Sequence, residues 1–298
     1  MLDGAIDPKA AAKLAKERKF PAAAICDRNG LYGAPTYAQA CKGAGVQPIV
    51  GTFLAVARPG VVAQGQDLPI DWLALLAQSE QGWLNLCDLV SRAHLERPLE
   101  LDPHVPLESL RGHTDGLICL TGGDEGALAR LFAAGRFEAA ESYCDTLQSL
   151  FGDRLYIEIT RTGEQVEDES EEDLIALAYS RDIPLVGTNP AQYAEAQFHA
   201  AHDAMLCIAN STQSMRPSAL GPRPSVGSSR SRRCRNCSPT CPRRWRILSS
   251  SRSAVPTCLR AASRCCPALQ ATSRAKRGCL RTTRAPVWRG GLHPIGRM

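Results

Sequence analysis

Residues 20–57 read FPAAAICDRNGLYGAPTYAQACKGAGVQPIVGTFLAVA, and this stretch decides the fold class. Its first apolar run, FPAAAIC, predicts a buried strand, and APTYAQACKGAG predicts a helix that ends at a glycine. VQPIVGTFLAVA predicts the next strand. A strand, a helix and a second strand in this order are typical of a unit whose two strands lie parallel in one sheet. The stretch therefore predicts an α/β domain.

The same alternation continues on both sides of this stretch. Upstream, Asp7 and Pro8 precede KAAAKLAKERK, which predicts an N-cap, a proline in the first turn and a helix. Further strands are predicted at DWLALLA, DGLICLTG, RLYIEI and IPLVGT. Further helices are predicted at SEQGWLNLCDLVSRAHL, near residues 124–134, 137–150 and 171–181, and at AQFHAAHDAMLCIAN. Near-continuous apolar strands between helices favour a mainly parallel sheet, either a barrel or a doubly wound sheet.

Charge divides the chain into two very different parts. Residues 1–213 contain all 30 acidic residues against 16 Lys and Arg, a net charge of −14. Residues 214–298 contain no acid, 18 Arg and one Lys, a net charge of +19. The first part is long enough to bury a substantial core. We therefore predict a folded domain over residues 1–213 and an Arg-, Ser-, Pro- and Cys-rich tail over residues 214–298.

The first part shows no secretory signal, no membrane-length apolar run and no amphipathic Arg-rich leader. We therefore expect a cytoplasmic protein without a membrane partner. Its six cysteines stand singly among apolar neighbours, which favours buried thiols over disulfides or a metal knuckle. They are Cys26, Cys41, Cys87, Cys119, Cys144 and Cys207.

Asp27 and Arg28 follow the first strand of the opening stretch, at the kind of position where an α/β barrel presents its ligands. A metal site here would need an imidazole or a carboxylate beside Asp27. Arg28 instead brings a guanidinium, which is always protonated, only donates hydrogen bonds and repels a cation. Asp27 also has a simpler interpretation, as the cap of a turn.

Six strings occur in order between residues 1 and 213. They are MLDGAIDPKAAAKLA, CDRNGLYGAPTYAQACKGAGVQPIVGT, LLAQSEQGWLNLCDLVSRAHLE, GLICLTGG, LYIEITRTG and IPLVGTNPAQYAEAQFHAAHDAMLCI. Together they resemble the PHP (polymerase and histidinol phosphatase) domain at the N-terminus of bacterial DNA polymerase III alpha subunits. The resemblance implies a distorted (β/α)7 barrel. Because the chain begins inside the first family motif, we expect a truncated domain whose barrel lacks its first strand.

The resemblance also implies where a PHP metal site would lie. Asp3 matches the acidic position of the family's LDG motif, and Asp27 matches that of its TDH motif. The HxH segment of the first motif is absent from this chain. At the other positions the family's histidine, glutamate and aspartate ligands are replaced by Arg28, Phe53, Thr162, Pro190 and Gln192. We therefore expect a vestigial site with no catalytic residue, no metal and no cofactor.

For function, the resemblance implies DNA replication. The parent subunit is a DNA-directed DNA polymerase, a nucleotidyltransferase that uses magnesium, but this chain has no room for its palm domain. We expect a non-catalytic scaffold or docking domain of the DNA polymerase III holoenzyme. Its expected partners are other holoenzyme subunits, above all the proofreading exonuclease, with DNA contacted through polymerase domains that the chain lacks. The alternative is a metal-dependent PHP phosphoesterase that binds divalent metal at Asp3, Asp27 and Glu158.

Several other polar and aromatic groups have ordinary structural interpretations. The acidic run EQVEDESEEDL, residues 164–174, is interpreted as a solvated loop that leads into a helix. The remaining candidates are interpreted as packed or solvated histidines and as core or interface aromatics; they are His94, His199, His202, Trp72 and Trp83.

Three interpretations of residues 214–298 stay open. A basic arm would bind nucleic acid by neutralising phosphates. A zinc module would use Cys234, Cys237 and Cys241, spaced C-x2-C-x3-C, but no fourth ligand follows at a finger spacing. The third interpretation is translation of GC-rich DNA out of frame, because codons chosen for residues 234–254 give an amphipathic, charge-balanced segment in a shifted frame. We favour the third, which predicts a disordered tail.

Overall fold

The computed structural model describes residues 4–59, 69–97 and 100–209. Its strands are β1 (Ala22–Arg28), β2 (Gln47–Ala57), β3 (Ile70–Ala77), β4 (Val105–Pro106), β5 (Leu117–Leu120), β6 (Leu155–Ile159) and β7 (Leu185–Gly187). Its helices are α1 (Pro8–Glu17), α2 (Ala34–Ala44), α3 (Glu80–Leu95), α4 (Ala127–Ala133), α5 (Phe137–Phe151), α6 (Gln165–Ser180) and α7 (His199–Ala209). The predicted α/β alternation is confirmed.

The seven strands form one curled half-barrel sheet. The strand order is β1-β2-β3-β5-β6-β7, and β4 pairs with β2 beside this path. Strands β1 and β2, β2 and β4, β5 and β6, and β6 and β7 pair in parallel. Only β3 among the described strands runs against its neighbours, β2 and β5.

The opening stretch folds into the expected strand, helix and strand. Asp7 caps α1 as predicted, since its carboxylate accepts hydrogen bonds from the amides of Lys9 and Ala10 at 2.8 and 3.4 Å. Helix α2 ends at Gly45, whose φ of 73° suits a residue without a side chain. Strands β1 and β2 then pair in a register that places Arg28 beside Phe53. This pairing brings two of the candidate site positions together.

Apolar side chains cover both faces of the sheet. On β3, Leu73 and Leu75 join the main core beneath α3 to α6, whereas Ala74 and Leu76 join a second cluster with Tyr156. Both faces are therefore buried, which is why the strands are almost continuously apolar. A third cluster packs α1 and α2 against each other and against β1. The core thus fixes the ends of the strands, where the candidate residues lie.

The prediction of buried thiols holds for four of the six cysteines in the described residues, which are Cys41, Cys119, Cys144 and Cys207. None of the six forms a disulfide within the described residues. Cys87 is only partly buried, and the expectation of burial was wrong for Cys26, which is exposed. Cys26 lies on β1, which ends the strand order and pairs with β2 alone among the described strands.

Two local expectations were also wrong. The acidic run is not a loop, because α6 begins at Gln165 and takes in most of it. Helix formation is favoured there because Ser170 and Leu174 face the core while most of the carboxylates face solvent. The two-residue strand β4 was not predicted, since two residues carry no periodic signal.

Within the described ranges, no helix is long and apolar enough to cross a membrane. Asp3 lies outside the described residues. The same is true of the whole tail over 214–298, so the interpretations of that region remain predictions.

Candidate functional site

Arg28 is the last residue of β1, and its side chain forms an ion pair with Glu125, in a short turn before α4. Nη1 of Arg28 donates to Oε2 of Glu125 at 2.8 Å, and Nη2 donates to Oε1 at 2.5 Å. Both side chains are about one-third exposed, at 33% and 31%. Two parallel hydrogen bonds fix the guanidinium plane as well as its position.

The Arg28 guanidinium also lies over two aromatic rings. Phe53 and Trp72 stack with ring centres 5.4 Å apart and an interplanar angle of 8°. The guanidinium carbon lies 4.5 Å from the centre of the Trp72 ring and 5.2 Å from that of Phe53. Cation–π attraction therefore adds to the ion pair. We call Arg28, Phe53, Trp72 and Glu125 the Arg28 cluster.

Asp27 caps the turn that follows β1. Its Oδ2 accepts a hydrogen bond from the amide of Gly33 at 2.8 Å. Its backbone oxygen accepts one from the hydroxyl of Thr52 at 3.0 Å, and the same hydroxyl accepts one from the amide of Gly30 at 3.2 Å. The simpler interpretation of Asp27 as a turn cap is confirmed.

Asn29 is a site residue that the sequence analysis missed. Its φ is 44°, in the left-handed region that Asn tolerates better than most residues. Its Oδ1 accepts from the amide of Ala55 at 2.8 Å, and its Nδ2 donates to the carbonyl oxygen of Pro103 at 2.7 Å. The ring of His94 bonds to its backbone oxygen at 2.8 Å, so the interpretation of His94 as a packed histidine is confirmed. The Asn29-Gly30 dipeptide was the available signal, since Asn-Gly marks tight turns.

Glu158 lies on β6 and is buried. Its carboxylate accepts from the amide of Gly122 at 3.0 Å and from the hydroxyl of Thr188 at 2.5 Å. Burial raises the pKa of Glu158, and these two hydrogen bonds oppose the rise. Its oxygens are thus held by protein donors.

Asp124 precedes Glu125 in the same turn. Burial raises its pKa to about 6, and the negative charges of Glu125 and Glu167 add to the rise. Asp124 therefore changes charge near neutral pH, beside the ion pair of Arg28.

The other family positions lie on separate parts of the domain. Thr162 bonds through its amide and its hydroxyl to Oε1 of Glu167, both at 3.0 Å. Pro190 is exposed. The backbone oxygen of Gln192 accepts from the amide of Ala5 at 2.7 Å, and its buried Oε1 has no hydrogen-bond partner among the described residues.

The residues at these positions do not fit a metal centre. Arg28 carries a fixed positive charge, Phe53 offers no donor atom, and the Thr162 hydroxyl is already bonded to Glu167. In the ranges 4–59, 69–97 and 100–209, no three His, Cys, Asp or Glu side chains are grouped so that they could hold a metal ion. The Arg28 cluster instead links β1, β2, β3 and the turn before α4 through the contacts of one guanidinium.

Comparison with known proteins gives consistent matches. The family model of the PHP domain matches residues 1–162. DNA polymerase III subunit alpha of Caulobacter vibrioides is 41% identical over 210 residues, which cover 70% of this chain and 18% of the relative. The subunit alpha of Rickettsia bellii is 33% identical over 208 residues, covering 70% of this chain and 17% of the relative. The subunit alpha of Treponema pallidum is 33% identical over 224 residues, which cover 74% of this chain and 19% of the relative. The chain thus spans less than one-fifth of the length of these relatives.

Among solved structures, a candidate metal-dependent phosphoesterase from Bifidobacterium adolescentis matches with a TM-score of 0.46 and 11% identity. The match covers 63% of this chain and 82% of the other.

Proposed function

The chain belongs to the PHP domain family, and from this we propose that it serves DNA replication as a non-catalytic docking domain of a DNA polymerase III alpha subunit. Its sequence similarity to that subunit in three bacteria supports a place in the polymerase III holoenzyme. We propose that synthesis of DNA belongs to the remaining length of those relatives, since this chain covers only 18% of the first of them.

The observation that carries the proposal is the Arg28 cluster. A guanidinium with a bidentate carboxylate partner and two aromatic rings occupies the end of β1 and β2. A hydrolytic metal site there would need convergent anionic or imidazole ligands. The contacts of Arg28 instead brace four parts of the domain, which supports a structural role over a hydrolytic one.

The first test is metal content and hydrolysis. Purified residues 1–298 are incubated with Mn²⁺ or Zn²⁺, desalted, and analysed by mass spectrometry for metal and with bis-(p-nitrophenyl) phosphate for turnover. We expect substoichiometric metal and no hydrolysis above buffer. Stoichiometric metal with turnover that is lost in both Asp27→Asn and Glu158→Gln would identify a phosphoesterase and overturn the proposal.

The proposed partner is the proofreading exonuclease subunit of the same organism, and the proposed compartment is the cytoplasm, where bacterial replication takes place. The test is biolayer interferometry with immobilised exonuclease subunit and the chain in solution. Saturable binding that survives high salt supports docking. Binding that disappears as salt is raised would point to the basic tail instead, since exposed charges are screened by salt.

For domain organisation, we propose that the family-like part ends near residue 213. The length of the alignments, 208 and 210 residues, is close to that of the acidic part of the chain. The out-of-frame interpretation of residues 214–298 stays a prediction. Sequencing the coding DNA across codons 200–298 tests it, because it requires an alpha-subunit sequence in a shifted frame.

A further inference from the structure

A cavity of about 170 Å³ lies between the residues that follow β2 and helix α5. Its lining consists of Arg58, Pro59, Leu131, Arg136, Ala139, Ser142, Tyr143 and Thr146. None of these residues belongs to the Arg28 cluster. The cavity is large enough for several non-hydrogen atoms.

Arg58 is held rigidly at one wall. Its Nε and Nη2 donate to the buried carboxylate of Asp71 at 2.9 and 2.8 Å. The Nη1 of Arg58 has no partner among the described residues. A guanidinium that is already held in place, and whose Nη1 is still able to donate, is suited to binding an anion. Little side-chain conformational entropy is lost when the anion binds.

Tyr143 supplies a second donor. Its side chain is 5% exposed, and its hydroxyl has no hydrogen-bond partner in the part of the chain that the structure describes. A buried hydroxyl without a partner is costly, and a ligand that accepts its hydrogen bond removes the cost. Burial raises the pKa of Tyr143, so the hydroxyl keeps its proton and donates.

Arg136 supplies the third donor, from the turn between α4 and α5. It is exposed, and its guanidinium has no partner among the described residues. Among the acids near these donors, Asp71 and two carboxylates of α5 already pair with arginines, and Glu138, which precedes the lining residue Ala139, is exposed to solvent. Asp71 pairs with Arg58 and lies 3.5 Å from Arg130, and Glu141 and Asp145 of α5 pair with Arg181.

We propose that this cavity binds a phosphate-type oxyanion, either free phosphate or the phosphate of a small phosphomonoester. Its donors are Arg58, Arg136 and Tyr143. Three donors that approach from β2, from a turn and from a helix suit a tetrahedral group with three or more acceptor oxygens better than a flat carboxylate with two. The three donors all lie in the described residues, and the site is independent of the docking function proposed above.

The test is isothermal titration of residues 1–298 with inorganic phosphate at constant ionic strength. The variants are Tyr143→Phe, which removes only the hydroxyl, and Arg136→Gln, which removes an exposed charge. We expect each to weaken binding about tenfold, the usual scale for a hydrogen bond to a charged group. Arg111→Gln, an exposed arginine outside the cavity, is the matched control and leaves binding unchanged. Arg58 is not substituted, because its loss would leave the buried carboxylate of Asp71 without its main ion-pair partner.

Three results would overturn the proposal. The first is the absence of saturable phosphate binding, and the second is an equal loss in Arg111→Gln and Arg136→Gln, which would indicate attraction to net charge alone. Acetate is titrated in parallel, and acetate binding as tight as that of phosphate would also overturn it. Titration with glycerol 3-phosphate distinguishes a site for free phosphate from a site for a phosphomonoester. Tighter binding than inorganic phosphate identifies a phosphomonoester site, and weaker binding identifies a site for the free ion.

Discussion

At the scale of single residues, Arg28 is held by two contacts of different physical origin. The ion pair with Glu125 depends on charge, whereas the stacking on Trp72 depends on the flat guanidinium and on its charge together. An uncharged side chain of similar length at position 28 removes both interactions but keeps the apolar contact, whereas Glu125→Gln removes the ion pair alone. Comparing the two substitutions therefore separates the two contributions.

We predict that Arg28→Met lowers the free energy of unfolding by about 1–2 kcal/mol, from the loss of a partly exposed ion pair and a cation–π contact. In a double-mutant cycle with Glu125→Gln, the coupling energy is about 0.5–1 kcal/mol. Urea unfolding at neutral pH measures both values. The control cycle is Lys13→Met with Glu17→Gln, an exposed pair at 3.8 Å, where coupling is about 0.3 kcal/mol. Equal coupling in the two cycles would contradict the special role of Arg28.

The pKa of Asp124 gives the domain a pH dependence of definite sign. The folded-state pKa, about 6, lies above the ordinary value of 3.8, so the folded state binds more protons between these values. Ionisation of Asp124 therefore costs stability. This cost is absent below the lower pKa, grows as the pH rises, and is complete above the higher one.

We predict that Asp124→Asn becomes more stable relative to the parent chain as the pH rises from about 4 to about 7, by about 1–2 kcal/mol. Urea unfolding of both proteins at several pH values in this window gives the difference. Glu172→Gln, which neutralises an exposed carboxylate on α6, serves as the control and shows a flat difference. A difference for Asp124→Asn that falls with pH would contradict the burial argument.

The residue-scale predictions from sequence succeeded where a residue's role depends on its neighbours in the chain. The turn cap at Asp27 was predicted in this way, because its partner, Gly33, is six residues away. The partner of Arg28 was left open, since Glu125 is 97 residues away and is brought close only by the sheet. The phosphate cavity was missed for the same reason.

At the scale of elements, the start of α6 shows how one carboxylate organises a loop. Glu167 accepts hydrogen bonds from the amide and hydroxyl of Thr162 at 3.0 Å, from the amide of Gly163 at 2.7 Å and from that of Glu164 at 3.1 Å. It thereby satisfies the amide of the N-cap residue Glu164 and the amides of the two residues that precede it. The family position Thr162 is fixed by this helix start.

We predict that Glu167→Ala lowers the free energy of unfolding by about 2–3 kcal/mol, because it leaves several buried donors unsatisfied. Glu167→Gln retains one acceptor and costs about half as much. Glu169→Ala, an exposed residue two positions on, changes stability by less than about 0.5 kcal/mol. Chemical denaturation measures all three. Faster amide hydrogen exchange at Gly163 and Glu164 in the alanine variant would locate the effect, and unchanged exchange would contradict it.

Sequence patterns predicted most elements in type but not all of them in extent or direction. Periodic apolar residues identified α3, α5 and the longer strands, whose buried faces repeat over several turns or pleats. The first turns of α6 were missed because charged residues dominate them, although Glu167 itself faces inward. The antiparallel pairing of β3 could not be predicted from its apolar run, since such a run is compatible with parallel and with antiparallel neighbours.

At the scale of the whole molecule, the two parts of the chain carry large net charges of opposite sign. The part up to residue 213 has a net charge of −14, and the part after it has a net charge of +19. A phosphate backbone would be repelled by the first and attracted by the second, whatever the origin of the tail.

We predict that residues 1–298 bind duplex DNA without sequence preference at low salt, and that residues 1–213 do not. The logarithm of the association constant falls linearly with the logarithm of salt concentration, with a slope of about −0.9 for each phosphate neutralised. Fluorescence anisotropy with a labelled duplex over a salt series measures the slope, and circular dichroism confirms that the shorter chain is folded. DNA binding by residues 1–213 with the same slope would contradict the assignment to the tail.

The reversed direction of β3 has a consequence for how the domain assembles. Its pairing with β2 joins residues as close in sequence as Ala57 and Ile70, so little loop-closure entropy opposes it. The parallel pairs on either side must wait for a helical crossover to bring their strands together. We therefore expect the β2–β3 pair to form early in folding, before the parallel pairs on either side of it.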